Sequence, residues 1–434
     1  MSFKKTLQDV LTIKFDQAFG LDISDRSVEI VELEKVFRFS VKAYGRTELS
    51  EGIVSNGQIL DSNALAEKIK RLLKDVKPQR VSTNKVIISL PESQVYIECF
   101  ALDASLKTNS LKQAIIDKVS LSLPININKT YWDYDTKPLP DKTKKLIIFI
   151  SVPKDIATGY VKFCNSIGLE VVSLCVESLS LARAILKKSD KQSLLMDIGA
   201  HSTNLSFFDS NDKINMSVTV PVAGADFTDS IKARLKLDNS EAESLKAKFG
   251  VKDIKENNIR EVIMPMIEDI LNETESAIKY YEETFKQKLD YIYLIGGSAL
   301  LPGLVEMIKG RLKKEVQIVQ GGNNINLNSL AGKGKDFSVF ANVVGLGMLG
   351  ASGEFRDLNL LKQMPSSATN VVNKLSLFTM GYLSRVNTIR TIINNKYILI
   401  IMVILIALIF AILLQQTQEY GFATAASVSI GNGF

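Results

Sequence analysis

The chain has 434 residues, of which 46% are hydrophobic and 23% charged, with a formal net charge of +6. That is the bulk of an ordinary folded protein with room for two or three domain-sized units, and too mildly basic, with no basic stripe interleaved with aromatics, for a nucleic-acid binder. Cys99, Cys164 and Cys175 share no CxxC spacing and sit in apolar stretches, as reduced, buried cytosolic thiols do.

In chain order, residues 1–15 place Phe3, Leu7, Val10, Leu11 and Phe15 at helical spacing beside Lys4 and Lys5. This predicts a short packed or surface helix, with a membrane-lying helix as the alternative. Residues 19–33 run as an apolar strand, Asp22-Ile23, a polar turn and a second apolar strand, and residues 194–208 repeat the pattern around Asp197-Ile198. Each reads as a β-hairpin with an acid at the end of its first strand, and the repeat predicts two similar domains facing a cleft. Between the copies, strands are predicted over 86–90, 146–152 and 171–176, and helices over 110–122, 155–166 and 179–188. After the second copy come helices over 226–235, 241–249, 259–285 and 304–312, and a strand over 291–295. The alternation is that of a mixed α/β fold. Three glycine-bearing turns follow apolar strands: Asp197-Ile-Gly199, Val222-Ala-Gly224 and Ile295-Gly-Gly-Ser298. Their backbone N–H groups can approach a phosphate or nucleoside closely.

Residues 351–396 read as a linker, with Ser366, Ser367, Thr369 and Asn370 after Pro365. Tyr397 to Leu414 then run without charge, proline or glycine. As a helix this segment rises about 27 Å, close to the hydrocarbon thickness of a bilayer, so it is predicted to span the membrane. Lys374, Arg385, Arg390 and Lys396 precede it, and residues 415–434 hold no Lys or Arg. The N-terminal body is therefore expected in the cytoplasm at the inner membrane, single-pass, with 415–434 as an extracytoplasmic tail.

The duplicated Asp-Ile hairpin together with the glycine turns resembles the actin/Hsp70/sugar-kinase superfamily, an actin-like (ribonuclease H-like) two-lobed α/β ATPase fold. The resemblance implies ATP in an interlobe cleft with Mg²⁺ held by Asp22 and Asp197 through waters. It makes Ser24 and Ser27 part of the first phosphate loop, and Gly199, Ala200 and Thr203 part of the second. Gly224 joins them, Gly296, Gly297 and Ser298 form the adenosine loop, and Glu243 and Lys246 flank the nucleoside. Glu177 would orient an attacking water. Within the superfamily, the stretch Ile87-Ile-Ser-Leu-Pro-Glu92 through Trp132-Asp-Tyr134, Ile148-Phe-Ile-Ser-Val-Pro153 and Gly168 resembles the subdomain that PilM and FtsA carry, an insert over about 85–168 of a PilM-like domain at 16–350. Asp357-Leu-Asn-Leu-Leu361 resembles the PilN tag, which in that family docks into a groove on PilM; the bland alternative is a short edge strand. The chain thus looks like a natural PilM–PilN fusion. Its tag would reach its own body or a neighbouring subunit, since 350 to 358 spans at most roughly 28 Å.

As implied by the resemblance, this is a membrane-anchored ATP-binding scaffold of type IV pilus assembly. It would form a homo-oligomer and work with PilN- and PilO-like proteins, pilus motor ATPases and the platform protein. A GspL-like type II secretion platform protein and an FtsA-like division filament protein are the alternatives. The first phosphate loop departs from the family pattern: Ser24 replaces a glycine, Asp25 adds a negative charge, and Glu29 stands where Lys is common. A carboxylate there repels phosphate unless Arg26 or Mg²⁺ compensates, so hydrolysis is expected to be slow or absent. His201 reads as a loop-surface residue, and Trp132 and Tyr134 as packing of the insert.

Overall fold

The computed structural model describes residues 17–35, 38–139, 142–187, 191–252, 258–322, 325–326, 337–353 and 358–365. The predicted helix at 1–15 and the predicted span at 397–414 lie outside them. No helix among the described residues is long and apolar enough to cross a membrane.

Strands β1 (Phe19–Ile23), β2 (Ser27–Lys35) and β3 (Phe39–Glu48) form an antiparallel meander. The two-residue strands β4 (Val54–Ser55) and β5 (Gln58–Ile59) pair as a small hairpin, followed by helix α1 (Ser62–Asp75) and β6 (Lys77–Pro78). β7 (Lys85–Leu90) pairs parallel to β1, and β11 (Glu170–Val176) pairs parallel to β7. Taking these strands as they occur in the lobe, the sheet runs third, second, first, fourth, fifth. The second lobe repeats that order with β12 (Ser193–Ile198), β13 (Thr203–Phe208), β14 (Ile214–Val220), β15 (Tyr291–Ile295) and β16 (Glu315–Ile318). Both predicted hairpins form, and the internal repeat extends to whole sheets. The first sheet alone carries an extra edge pairing of β3 with β17 (Ile325–Asn326).

The insert enters between the fourth and fifth strands of the first lobe. It is a three-stranded sheet of β8 (Tyr96–Asp103), β10 (Lys144–Pro153) and β9 (Thr130–Pro138), with helix α2 (Thr108–Val119) on one face. β10 is buried on both faces: Ile147 and Phe149 pack with Leu111, Ile115 and Val119 of α2, while Leu146, Ile148 and Ile150 join the first-lobe core. Trp132 stacks at 5.7 Å on Phe149 within this insert. The unit is narrower than the expected 85–168. β7 is a central strand of the lobe sheet, and helix α3 (Lys154–Ser166) buries Ala157, Tyr160, Val161 and Cys164 in the lobe core.

Helix α4 (Glu177–Ile185) begins two residues before its expected start because Glu177 follows β11 directly. In the second lobe, α5 (Gly224–Leu235), α6 (Asn239–Phe249), α7 (Ile259–Phe285) and α8 (Leu304–Leu312) cover the sheet, and Phe227, Ile263, Ile267 and Tyr281 lie in its core. The sequence pattern did not announce helix α9 (Phe337–Ser352), nearly all of which is buried. Being apolar all round, it has no 3.6-residue period to read, and its glycines lower helix propensity. Those glycines are packing positions: a Cβ on Gly345 would overlap the Ser180 carbonyl of α4, and one on Gly350 the Ala18 carbonyl.

Candidate functional site

A cavity of about 620 Å³ lies between the two lobes. Both strand-end acids, Asp22 and Asp197, line it, as do Ser24, Ser27, Glu177, Gly199, Ala200, Gly224, Glu243, Lys246, Gly296, Gly297 and Ser298. Thr203 is the exception among the expected residues. It is fully buried, its hydroxyl donates to the Val222 carbonyl at 2.7 Å, and it forms no part of the cavity wall. As the first residue of β13 it ties the second loop to the turn between β14 and the helix that begins at Gly224.

The acids sit where the chain leaves each sheet, so strand pairing fixes them and the following turns are left open. Asp22 accepts from Ser89 Oγ at 3.2 Å, and Asn342 Nδ2 of α9 donates to that hydroxyl at 2.8 Å. Burial holds the Asp22 carboxyl above its ordinary range, against the lowering effect of hydrogen bonds from Asn342 and Ser89. Burial, and then the charge of Asp22, push Asp197 up to about 6. That electrostatic coupling is what two acids facing one crevice produce. Among the described residues no group of three or more His, Cys, Asp or Glu is arranged to hold a metal ion directly.

The second loop is preorganised by backbone hydrogen bonds: Gly199 N to Ser202 O at 3.0 Å, Gly224 N to Gly199 O at 3.1 Å and Ala225 N to Ala200 O at 2.8 Å. The turn after β15 starts at Gly296 with φ +87°, where a Cβ would overlap Asp197 Oδ1. Only glycine allows the two loops this approach. Around Gly297 a Cβ would meet nothing within 4 Å, so this backbone faces open cavity. Helix α6 starts with a capping box, Asp238 and Glu241 each bonding the other's backbone N–H at 2.9 and 3.1 Å. Glu243 and Lys246 then share a helix face at i,i+3. Lys246 Nζ donates to Gly224 O at 2.9 Å, Thr228 Oγ1 at 2.7 Å and Glu243 at 3.0 Å. Burial acts to raise the Glu243 carboxyl, but hydrogen bonds from Lys246 and Thr228 outweigh it and the net shift is downward.

Glu177 lies among carboxylates. Its Oε2 accepts from Glu92 N at 3.1 Å, and Glu92 Oε2 in turn accepts from Ser178 N at 3.3 Å. Burial, and then the charges of Asp22, Glu92 and Asp197, raise Glu177 well above the carboxylate range. Glu92, the last residue of the Ile87–Glu92 stretch, carries no role in the motif pattern. It is buried, its Oε1 has no hydrogen-bond partner, and burial lifts its carboxyl to about 7. Two further acids flagged as hostile to phosphate are partnered. Asp25 accepts from Asn56 N at 2.8 Å and Gly57 N at 2.9 Å, and His201 Nε2 of the opposite lobe lies 3.1 Å away. His201, expected as a plain surface residue, therefore bridges the lobes. Glu29 accepts from Arg46 Nε at 2.8 Å, while burial, and then Asp22, raise it to about 7. Arg46 and Asn342 were invisible to motif reading, because each reaches the cavity across strands or from a helix distant in sequence.

A second feature lies on the outer side of the first lobe. Asn359, Leu360 and Leu361 sit between β9 and β11, where Leu358, Leu360, Leu361 and Met364 are buried in the first-lobe core. Asn359 Oδ1 accepts from Leu174 N and Leu361 N, both at 3.1 Å. Asp133 Oδ2 of β9 accepts from Asn359 N at 2.9 Å and Lys362 Nζ at 2.7 Å. The segment is neither an edge strand nor an added strand: Leu360–Gln363 forms a single 3-10 turn that seats its leucines end-on.

A family model described as "Type IV pilus assembly protein PilM" matches residues 20–348. Among solved structures, the "PilM-PilN type IV pilus biogenesis complex" superposes with a TM-score of 0.64 at 21% identity, covering 77% of this chain and 98% of that one. Curated relatives include the cell division protein FtsA of Streptococcus pneumoniae serotype 2 (strain D39 / NCTC 7466), 23% identical over 400 residues, 79% of this chain and 82% of the relative. The FtsA of Bacillus subtilis (strain 168) is 22% identical over 332 residues, 67% of this chain and 69% of the relative.

Proposed function

Because the chain belongs to the PilM family of type IV pilus assembly proteins, we propose that it is a nucleotide-binding scaffold of the pilus assembly complex, carrying its own PilN-like tag and membrane anchor. The observation that carries the nucleotide part is the shared cavity: the acids of two duplicated hairpins, Asp22 and Asp197, meet in one crevice lined by glycine-bearing turns. In this reading ATP lies with its phosphates between the two hairpin turns, where the backbone of Gly199 and Ala200 faces the cavity. Its base lies against Gly296, Gly297 and Ser298 beside the exposed apolar side chains of Leu300 and Val339. Mg²⁺, which would neutralise phosphate charge, is held through water by Asp22 and Asp197. Glu177 orients water toward the phosphate end. Burial, and then the charges of its carboxylate neighbours, favour the protonated form of Glu177, and a protonated carboxyl cannot take a proton from water, in keeping with slow or absent turnover.

Anchoring is the second part of the proposal. The burial of Asn359, Leu360 and Leu361 on the chain's own β9 and β11 supports a tag that docks in cis, at high effective concentration and with little need of intrinsic affinity. The chain then continues toward 397–414 as its membrane span, with the body in the cytoplasm. PilN- and PilO-like proteins, the motor ATPases and the platform protein are the partners this reading assigns.

The test uses the full-length chain purified in detergent. It is expected to bind a fluorescent ATP analogue with Mg²⁺, and Gly297→Glu is expected to abolish that binding by filling open cavity with a carboxylate. Failure of the wild-type chain to bind any nucleotide at millimolar concentration would refute the nucleotide part. Recovery of division proteins rather than pilus components from solubilised membranes, with ATP-dependent sedimentable filaments, would instead favour the FtsA-like reading that the curated relatives raise.

A further inference from the structure

Strand register reveals an asymmetry between the duplicated lobes. In the second lobe Asp197 of β12 lies opposite Asn204 of β13, which lies opposite Thr219 of β14. In the first lobe Asp22 of β1 lies opposite Glu29 of β2, which lies opposite Arg46 of β3. These are corresponding rows of corresponding sheets. Residues directly opposite across a sheet share a face, so each row extends the strand-end acid sideways along the same surface. Beyond its acid the second-lobe row is neutral, with Thr219 Oγ1 3.1 Å from Asn204 Oδ1. The first-lobe row ends in an ion pair, Arg46 Nε to Glu29 Oε1 at 2.8 Å, and all three of its members line the cavity.

A polyanion entering a cavity walled by Asp22, Glu29, Glu92, Glu177 and Asp197 needs a cation. Lys246 is buried, with its ammonium engaged by Gly224 O, Thr228 and Glu243. Arg26 lines the cavity from the turn between β1 and β2 and is exposed, and its charge reaches Glu243. Arg46 differs from Lys246 in its exposure and from Arg26 in the ion pair that fixes it. It stands beside the phosphate loop of the first lobe, is 39% exposed, and uses Nε toward Glu29, with only an exposed Glu48 oxygen at 3.9 Å from Nη1. A guanidinium held by Nε presents its outer edge, the geometry that suits phosphate oxygens. Glu29, the residue that seemed to forbid phosphate, acts as the holder of that arm.

We propose that Arg46 is a phosphate-binding residue of this cleft, positioned by Glu29, and that it recognises the polyphosphate of a nucleoside di- or triphosphate. The proposal rests on the nucleotide reading above and adds the residue that reads the phosphate end. It predicts a split between ligands that differ only in charge. In the full-length chain in detergent, with Mg²⁺, Arg46→Ala should weaken ATP and ADP roughly tenfold to a hundredfold, the scale of a lost charge-assisted hydrogen bond. Adenosine affinity should stay unchanged, and Arg46→Lys should be intermediate. Glu29→Gln should weaken ATP by a smaller factor, because losing the arginine's holder is partly offset by losing a negative charge from the cavity wall, and the double variant should be no worse than Arg46→Ala. Thermal unfolding of each variant separates loss of fold from loss of contact.

Unchanged ATP affinity in Arg46→Ala, or equal losses of ATP and adenosine in a folded variant, would overturn the assignment. So would a wild-type chain that binds adenosine as tightly as ATP. A wild-type chain that binds neither ligand removes the nucleotide reading itself, and this assignment with it, an outcome distinct from the others.

Discussion

Glu92→Gln should stabilise the nucleotide-free protein at alkaline pH, and the size of the effect follows from where Glu92 sits. Its side chain is buried, Oε2 accepts from Ser178 N at 3.3 Å and Oε1 has no partner. Burial lifts the carboxyl from an ordinary 4.5 to about 7, the charge of Asp197 adding to it and bonds from Ser178 opposing. In the unfolded chain Glu92 returns to its ordinary value. Between pH 4.5 and 7 the native state therefore holds more protons than the unfolded state, so stability falls as pH rises through that window. Above 7 both states are ionised and the group adds no slope. At roughly 1.4 kcal/mol per pH unit the gap comes to about 3 kcal/mol, as an order of magnitude. A glutamine keeps an acceptor for Ser178 N and carries no charge. Urea unfolding of the full-length chain without nucleotide, followed by circular dichroism, should show Glu92→Gln more stable than wild type at pH 8 by about 3 kcal/mol, the two converging near pH 4.5. If the variant retains the wild-type dependence between pH 5 and 7, or is destabilised at pH 8, the claim that this buried acid is strained by burial is wrong.

The same reasoning gives shorter expectations elsewhere. Leu361→Ala removes a fully buried side chain of the docked segment and should cost about 2–5 kcal/mol. Because Trp132, the chain's single tryptophan, donates its backbone N–H to Gln363 Oε1 at 3.5 Å, detachment should also shift its fluorescence. Asp133→Ala leaves Asn359 N and Lys362 without their shared acceptor. It should raise proteolytic cleavage near residue 360 while leaving ATP affinity unchanged, because the docked segment and the cavity lie on different parts of the lobe. Replacing Asp22 and Asp197 by Asn should flatten the Mg²⁺ dependence of ATP binding; retention of that dependence would argue against the two acids as the metal's water-bridged ligands.

Much of the fold could be read from local signals. The hairpins at 19–33 and 194–208 announce themselves because an apolar strand, an acid and a short turn are contiguous in the chain. Helix Ile259–Phe285 matches its periodicity to the residue. What escaped was structure defined by distant partners. β3 alternates on a half-buried surface and shows only once β2 is in place. α9 is apolar on nearly every face because it packs against β1, β2 and α4 together, so burial erased the period that would have marked it. The boundary of the insert was misread for a related reason. β7 reads as one more apolar run of the insert, while its pairing with β1 and β11 places it at the centre of the lobe sheet.

The site divides along the same line. Turn positions such as Gly199, Gly224 and Gly296 leave a sequence mark because glycine is needed where loops approach closely. The partners that compensate charge leave none, because they lie across the sheet or across the cleft, as Arg46 does for Glu29 and His201 for Asp25. Taken alone, Asp25 and Glu29 argue against a phosphate site. In the folded chain one is satisfied by two backbone amides and by His201 of the other lobe, and the other by Arg46 one strand away. Thr203 errs in the opposite direction: its place in the loop pattern suggested a ligand contact, yet the hydroxyl is turned into the protein toward Val222. The sign of an isolated charge in a loop is therefore weak grounds for excluding a ligand. What decides is what the folded chain sets beside it, and in this cleft Glu29, in the row beginning at Asp22, meets the guanidinium of Arg46.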